Sequence, residues 1–275
     1  MSLTLAYTAL SPFCRKVRMA MEYKRLDFEL GRGDHVTEVG AFNPRAEVPV
    51  LIDDDVVVCN SPDILAYLDR RFPELPLYPD DARTYAEVRR WERTSDTQFD
   101  AILTVIGNWK FADLPAMPEG LLGGARRDIR SLYDQLEGQL QSRAFVCGEV
   151  SAADFSLYPQ VVSGAALDLP LDRSVHRSVL GWLRRMRERP EGQSDLAAVG
   201  EWWANRVKQT VDTERVNWGT FRLEWLLANG GLDFFSDQVR RDKVLWSVGP
   251  NNNARNSPAA PGPDKGAAPS LSQID

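Results

Sequence analysis

Apolar positions alternate with small or polar ones at Leu3, Leu5 and Tyr7, which predicts a short strand. A turn then leads into Ser11-Pro12, a favoured N-cap and first-turn pair. A helix is expected next, with Phe13, Val17, Ala20 and Met21 on one face and Arg15, Lys16, Arg18 and Glu22 mostly off it. Asp27 to Leu30 reads as a second strand. Val48 to Ile52, the acidic turn Asp53-Asp54-Asp55, and Val56 to Cys59 read as an antiparallel hairpin with β-branched residues on both arms. Asn60-Ser61-Pro62 repeats the cap-plus-proline start, and Ile64, Leu65, Leu68 and Phe72 supply the buried stripe of a helix ending before Pro73. The predicted order is β-α-β, a gap, then β-β-α.

Glu74 to Asp81, with Pro76 and Pro79 and little periodicity, marks a linker. Beyond it every pattern is helical. Tyr85, Val88, Phe99, Ile102, Leu103 and Ile106 recur between Thr84 and about Trp109, and Ile129, Leu132, Leu136 and Leu140 do so between Ala125 and Ser142. Further helices are expected at about Ala152 to Val162, Ser174 to Glu188 and Asp195 to Val211. Between Phe221 and Trp246 the Gly230-Gly231 pair divides two short helices. From Pro250 onward the Asn-rich and then Pro/Ala/Gly-rich sequence predicts a disordered tail.

Composition narrows the function. The 275 residues, 43% of them hydrophobic, suffice for two packed cores. With Lys+Arg 33 against Asp+Glu 39, a formal net charge of -6, no basic block follows a phosphate backbone, so nucleic acid is not an expected partner. No apolar run reaches the roughly 18 residues of a membrane span, and the N-terminus lacks the charged-then-apolar layout of a secretory signal. A soluble, cytoplasmic protein is the expectation. Cys14, Cys59 and Cys147 are scattered and unpaired, which fits a reducing compartment. His35 and His176 stand alone, so no metal site is expected.

The candidate chemistry begins where the first strand meets the first helix. Ser11 and Cys14 place a hydroxyl and a thiol where backbone N–H groups converge and the helix dipole is positive, an arrangement that favours an anion such as a thiolate. A plain N-cap role for Ser11 is compatible with that reading.

Three segments carry a resemblance: Ser11 through Arg18 (SPFCRKVR), Asn43-Pro44 leading to Val48-Pro49-Val50-Leu51, and Asn60 through Leu68 (NSPDILAYL). In order and spacing they resemble the successive glutathione-site segments of the glutathione transferases. The resemblance covers about residues 3 to 210. It implies an α/β thioredoxin-like, glutathione-binding domain over residues 1–80 and an all-α domain over 84–248, extended from about 212, with the tail at 250–275. It further implies a cis Pro49 that turns the Val48 backbone toward the cysteinyl part of glutathione. Ser61 would hold the γ-glutamyl carboxylate, with Phe13 and Asn60 also in the site and His35 assigned to the glycyl end. Position 60 is usually Glu or Gln in the family, and Asn60 is shorter and uncharged. Gly148 with Ser151 and Asp154 resembles the family's buried capping box, a folding element.

Family members use a tyrosine, serine or cysteine near the first helix, and Tyr7, Ser11 and Cys14 offer all three types. Position favours Ser11. A cysteine there would form mixed disulfides, whereas serine stabilises a thiolate that attacks an electrophile. The implied function is therefore conjugation of glutathione, as co-substrate and without a metal, to a small hydrophobic electrophile, in the manner of detoxification enzymes. Phe99, Trp109 and Phe111 are candidate walls for the second substrate, and a homodimer is implied. Two alternatives stay open. One is a non-catalytic, protein-binding scaffold, since the first segment also resembles a bacterial cell-division factor of this fold. The other is thiol transfer or reduction through Cys14.

Overall fold

The computed structural model describes residues 3–32, 39–43, 45, 47–111, 114, 116–205, 219–241 and 243–244, without the side chains of Arg32 and Phe111. The chain divides into two compact units, with the break between Pro76 and Leu77.

In the first unit β1 (Leu3–Tyr7) is followed by α1 (Pro12–Tyr23), β2 (Glu29–Arg32), β3 (Val50–Asp53), β4 (Val56–Cys59) and α2 (Ser61–Arg71). The sheet order is β2-β1-β3-β4, with β2 parallel to β1 and the other pairs antiparallel. This is the expected thioredoxin-like sheet. Side-chain alternation separates its faces. Leu5 and Leu51 take one, where α1 and α2 bury Val17, Met21, Ile64 and Leu68. Ala6 and Val50 take the other, covered by Val39, Phe42 and Val48.

β2 begins two residues later than the hydrophobic pattern predicts. α1 closes in a reversing turn with Arg25 left-handed at φ 57, Arg25 N–H donating to Glu22 O (2.9 Å) and Leu26 N–H to Met21 O (3.1 Å). That turn takes up residues through Leu26, and the parallel register opens only at Thr4 against Glu29. The hairpin's first arm starts at Val50 rather than Val48, because Pro49 has no N–H to give a ladder. Lys24, which the sequence reading passed over, is buried. Its ammonium donates to Phe72 O (2.7 Å), Glu74 O (3.2 Å) and Leu75 O (3.1 Å) and pairs with Asp69 (3.0 Å), fastening the end of α1 to the end of α2.

The second unit is helical: α3 (Ala82–Thr94), a π-helical turn (Ser95–Phe99), α4 (Asp100–Phe111), α5 (Leu121–Leu140), α6 (Ala152–Ala166), α7 (Arg177–Glu188), α8 (Pro190–Ala204), α9 (Thr220–Ala228) and α10 (Leu232–Arg240). The stretch expected as one helix from Thr84 is therefore interrupted by a π turn, where Ser95 leaves the helix face to donate its hydroxyl to Ser156 O at 2.8 Å. α8 starts at Pro190 instead of Asp195, since proline suits a first helical position. The expected continuation of α8 to Val211, the last residues of the stretch ending at Trp246 and the tail lie outside the described residues. Gly230, at φ 86, separates α9 from α10.

Asp154 is the polar hub of this unit. Its carboxylate accepts from Ser151 N–H and hydroxyl (both 3.1 Å), Val146 N–H (3.0 Å) and Trp182 Nε1–H (2.8 Å). The capping box is present, and it also joins α6 to α7. Glu137 of α5 caps α7 from outside, accepting from the Ser178 and Val179 amides at 2.9 Å each. No described helix is long and apolar enough to cross a membrane.

Candidate functional site

Strand register assembles the site. Ala6 of β1 lies opposite Val50 of β3, and Val50 lies opposite Cys59 of β4, so one rung ends all three strands at the same end of the sheet. Just past that rung come the turn from β1 into α1, the Val48-Pro49 bond that enters β3, and the turn from β4 into α2. The first segment is far in sequence from the other two, which one hairpin joins, and all three converge because the antiparallel pairing puts one strand's exit beside another's entry.

At the first junction Ser11 has an extended backbone (φ -76, ψ 117) and caps α1, its Oγ accepting the Cys14 N–H at 3.3 Å. A hydroxyl used as an acceptor keeps its own proton to donate. Ser11 thus combines a cap with a donor at the positive end of a helix, which is what a bound thiolate requires. Phe13 is half-buried beside it. Tyr7 is engaged elsewhere: its hydroxyl accepts from Arg18 at 3.3 Å, and Arg18 lies over its ring and pairs with Glu22 at 2.9 Å. Cys14 is fully enclosed in the core, a small apolar packing residue in its surroundings.

At the second junction Val48-Pro49 is cis. Asn43, which belongs to the quoted motif but received no role of its own, holds the approach to it. Buried at 5% exposure, Asn43 donates its side-chain amide to Glu47 O (2.7 Å) and accepts the Arg45 N–H (3.0 Å). Its backbone N–H reaches Val39 O at 2.8 Å. The signal was an asparagine two residues before the loop amide it accepts from and four before the carbonyl it donates to, an Asx-type turn.

At the third junction Asn60 adopts φ 67, unusual for a residue with a Cβ. It does not cap α2. Its side-chain amide donates to Asp63 Oδ2 at 3.1 Å. Ser61 is the first helical residue, only 3% exposed, and no described residue hydrogen-bonds its Oγ. An unpaired buried hydroxyl is costly and uncommon. Because Pro62 has no N–H, the Ser61 and Asp63 amides are what the first turn of α2 offers a ligand. The plain N-cap reading of Ser61 is thereby set aside. Cys59, just before this turn, is half-buried, and burial with Asp63 nearby holds its thiol above the usual range. His35 lies outside the described residues.

In the helical unit Phe99 is fully buried against Tyr133, ring centroids 6.0 Å apart, so it is a core residue rather than a pocket wall. Trp109 is half-buried and packs against Phe234 of α10, ring centroids 4.6 Å apart and planes tilted by 54°. The extension is fixed to α4 and α5: Arg222 clasps buried Asp100 through two bonds (2.8 and 3.0 Å), and Trp225 Nε1–H donates to Asp128 at 2.9 Å. Among the described residues no group of acidic, histidine or cysteine side chains could hold a metal ion.

Comparison with known proteins agrees with this fold. Residues 5–76 match the family described as "Glutathione S-transferase, N-terminal domain". Glutathione S-transferase 1 of Dianthus caryophyllus is 32% identical over 197 residues, 65% of this chain and 88% of that protein. FtsZ-localized protein A of Caulobacter vibrioides is 28% identical over 166 residues, 56% of this chain and 73% of that one. Among solved structures, a glutathione S-transferase of Methylobacterium radiotolerans in complex with glutathione sulfonate matches with TM-score 0.63 and 26% identity, covering 71% of this chain and 94% of its own.

Proposed function

We propose, from the premise that this chain belongs to the glutathione S-transferase superfamily, that it binds glutathione in its first unit and transfers the thiolate to a hydrophobic electrophile. The observation that carries the reading is the convergence, on the rung of Ala6, Val50 and Cys59, of a hydroxyl at Ser11 that is free to donate its proton and a buried hydroxyl at Ser61 with no partner among the described residues. The backbone of Val48 would pair with the cysteinyl peptide, and the first turn of α2 would take the γ-glutamyl carboxylate. Ser11 would donate to the cysteinyl sulfur. That stabilises the thiolate relative to the thiol, so more of the bound tripeptide is ionised at neutral pH. The sulfur lone pair then forms the new carbon–sulfur bond as the leaving group departs with its electron pair, and the thiol proton has already passed to solvent. Enclosure of Cys14 supports conjugation over thiol exchange through that residue. A cytoplasmic homodimer acting in detoxification is part of the same proposal.

The second reading, a protein-binding scaffold that retains the fold, is favoured by the similarity to FtsZ-localized protein A. Titration calorimetry with glutathione, followed by a conjugation assay with 1-chloro-2,4-dinitrobenzene and a panel of other aromatic and alkyl electrophiles, separates the two. Binding with turnover supports the transferase. No heat at millimolar glutathione and no turnover would leave the scaffold.

A further inference from the structure

Residues 173–189 run from the loop before α7 to just past its end and hold six arginines against one acid, Glu188, in a chain whose net charge is -6. Two of the six are committed to the fold: Arg185 donates to Ala144 O (2.8 Å), and Arg189 pairs with Glu191. Arg173, Arg177, Arg184 and Arg187 are exposed, and their guanidinium groups have no hydrogen bond or ion pair among the described residues. The carboxylates that α5 and the loop bring to the start of α7 are already engaged. Glu137 accepts the Ser178 and Val179 amides (2.9 Å each), Asp134 faces the buried His176 Nε2 at 2.9 Å, and Asp172 accepts from the Ser174 N–H (2.9 Å) and hydroxyl (2.6 Å). These bonds fix the start of α7 and leave the four arginines on a rigid platform without an ionic partner.

Helix electrostatics account for only part of this pattern. Arg184 and Arg187 near the C-terminal end offset the helix dipole, but Arg177 is the first residue of α7, where a cation opposes it. Arg177 and Arg184 are seven residues apart, two turns and about 10 Å of rise, and so share one side of the helix. Gly181 lies between them on that side and raises no side chain there. Exposed Val175 and half-buried Leu180 add apolar surface beside them. We infer that this face of α7 docks a short acidic peptide of a partner protein, its carboxylates paired with the forks of Arg177 and Arg184 and flanked by Arg173 and Arg187. The spacing is close to that of side chains three residues apart on an extended, polyproline-type peptide, about 9 Å. A nucleic acid fits less well, because the run from Arg177 to Arg187 is only about 15 Å long and the negative charge of the whole chain weakens its hold on a continuous polyanion.

The test is fluorescence anisotropy of labelled hexaglutamate titrated with the full chain at physiological salt. The unaltered protein is expected to bind it. The double variant Arg177→Glu/Arg184→Glu is expected to bind about tenfold or more weakly, the scale of lost charge-assisted pairs. Arg70→Glu/Arg83→Glu, which makes the same change in net charge at exposed positions elsewhere, is expected to bind nearly as well as the unaltered protein. Equal weakening in the two variants would reduce the effect to overall charge and overturn the inference, as would no binding by the unaltered protein. An oligothymidylate of equal charge that outcompetes hexaglutamate on the same arginines would also overturn it and assign the face to nucleic acid. Calorimetric titration of Arg177→Glu/Arg184→Glu with glutathione is expected to match the unaltered protein, which checks that the variant is folded and keeps this inference separate from the transferase reading.

Discussion

Replacing Ser61 with alanine separates a ligand-binding hydroxyl from a structural one, because the two roles predict opposite changes in stability. The Ser61 hydroxyl is buried and has no partner among the described residues. An unsatisfied hydroxyl in such a place costs about 1–3 kcal/mol on the scale of protein mutations. Removing it should therefore leave the free protein unchanged or up to about 1 kcal/mol more stable, a rise of roughly 2–4 °C in melting temperature for a chain of this order. The same substitution takes a hydrogen bond away from the bound carboxylate. Bonds to charged groups are worth about 1.5–3 kcal/mol, so affinity for glutathione should fall by roughly 10- to 150-fold. Differential scanning fluorimetry without ligand and calorimetric titration with glutathione measure the two effects on one preparation. A Ser61→Ala protein that melts several degrees lower would show that the hydroxyl is a structural cap after all. Unchanged affinity would show that no ligand group reaches it.

Ser11→Ala should lose on both counts: about 1 kcal/mol of stability with the cap, and roughly 100-fold or more in kcat as the donor to sulfur disappears, with the KM for glutathione altered less. In the native protein at pH 8, thiol-reactive reagents should label slowly, since Cys14 is enclosed and burial, aided by Asp154 and Glu87, pushes Cys147 up to about 12; Cys14→Ala should keep conjugating activity, and loss of turnover would revive thiol exchange. Burial acts to raise the Glu137 pKa, but the Val179 and Ser178 amides outweigh it and hold the carboxyl below its ordinary range. The stability Glu137 contributes is then present above the unfolded pKa of about 4.5 and lost as pH falls through the lower folded value, so the acid limb of a melting-temperature profile should flatten in Glu137→Gln. Arg222→Ala strips a buried Asp100 of its ionic partner and should cost about 3 kcal/mol or more in urea unfolding. A loss under 1 kcal/mol would mean that α9 lifts away and lets water reach the carboxylate.

Local pattern was enough to give the order of elements. Leu3, Leu5 and Tyr7 specify β1, Ser11-Pro12 and Asn60-Ser61-Pro62 mark the helix starts, and Gly230-Gly231 divides α9 from α10. These features depend on side-chain periodicity, turn chemistry and missing amide donors, all of which are properties of neighbouring residues. Two boundaries moved for a local reason, the prolines at Pro49 and Pro190; the others slipped where a non-local contact outranked local preference. β2 starts where its register with β1 allows it, and the long helix after the linker takes a π turn that brings Ser95 to Ser156.

The site divides in the same way. The sequence named Ser11, Val48, Pro49, Asn60 and Ser61, because each stands in a recognisable short motif. The hairpin that sets Val50 opposite Cys59 is local, but only the tertiary structure brings it to the end of β1, through the pairing of Ala6 with Val50 across a long stretch of chain. Tertiary structure also decided what each side chain does there: Cys14 is enclosed, Tyr7 is held by Arg18, Asn60 turns to Asp63, and Ser61 keeps a hydroxyl that no described residue engages. Burial and hydrogen-bond partnership depend on the whole surrounding chain, so no window of neighbouring residues contains them.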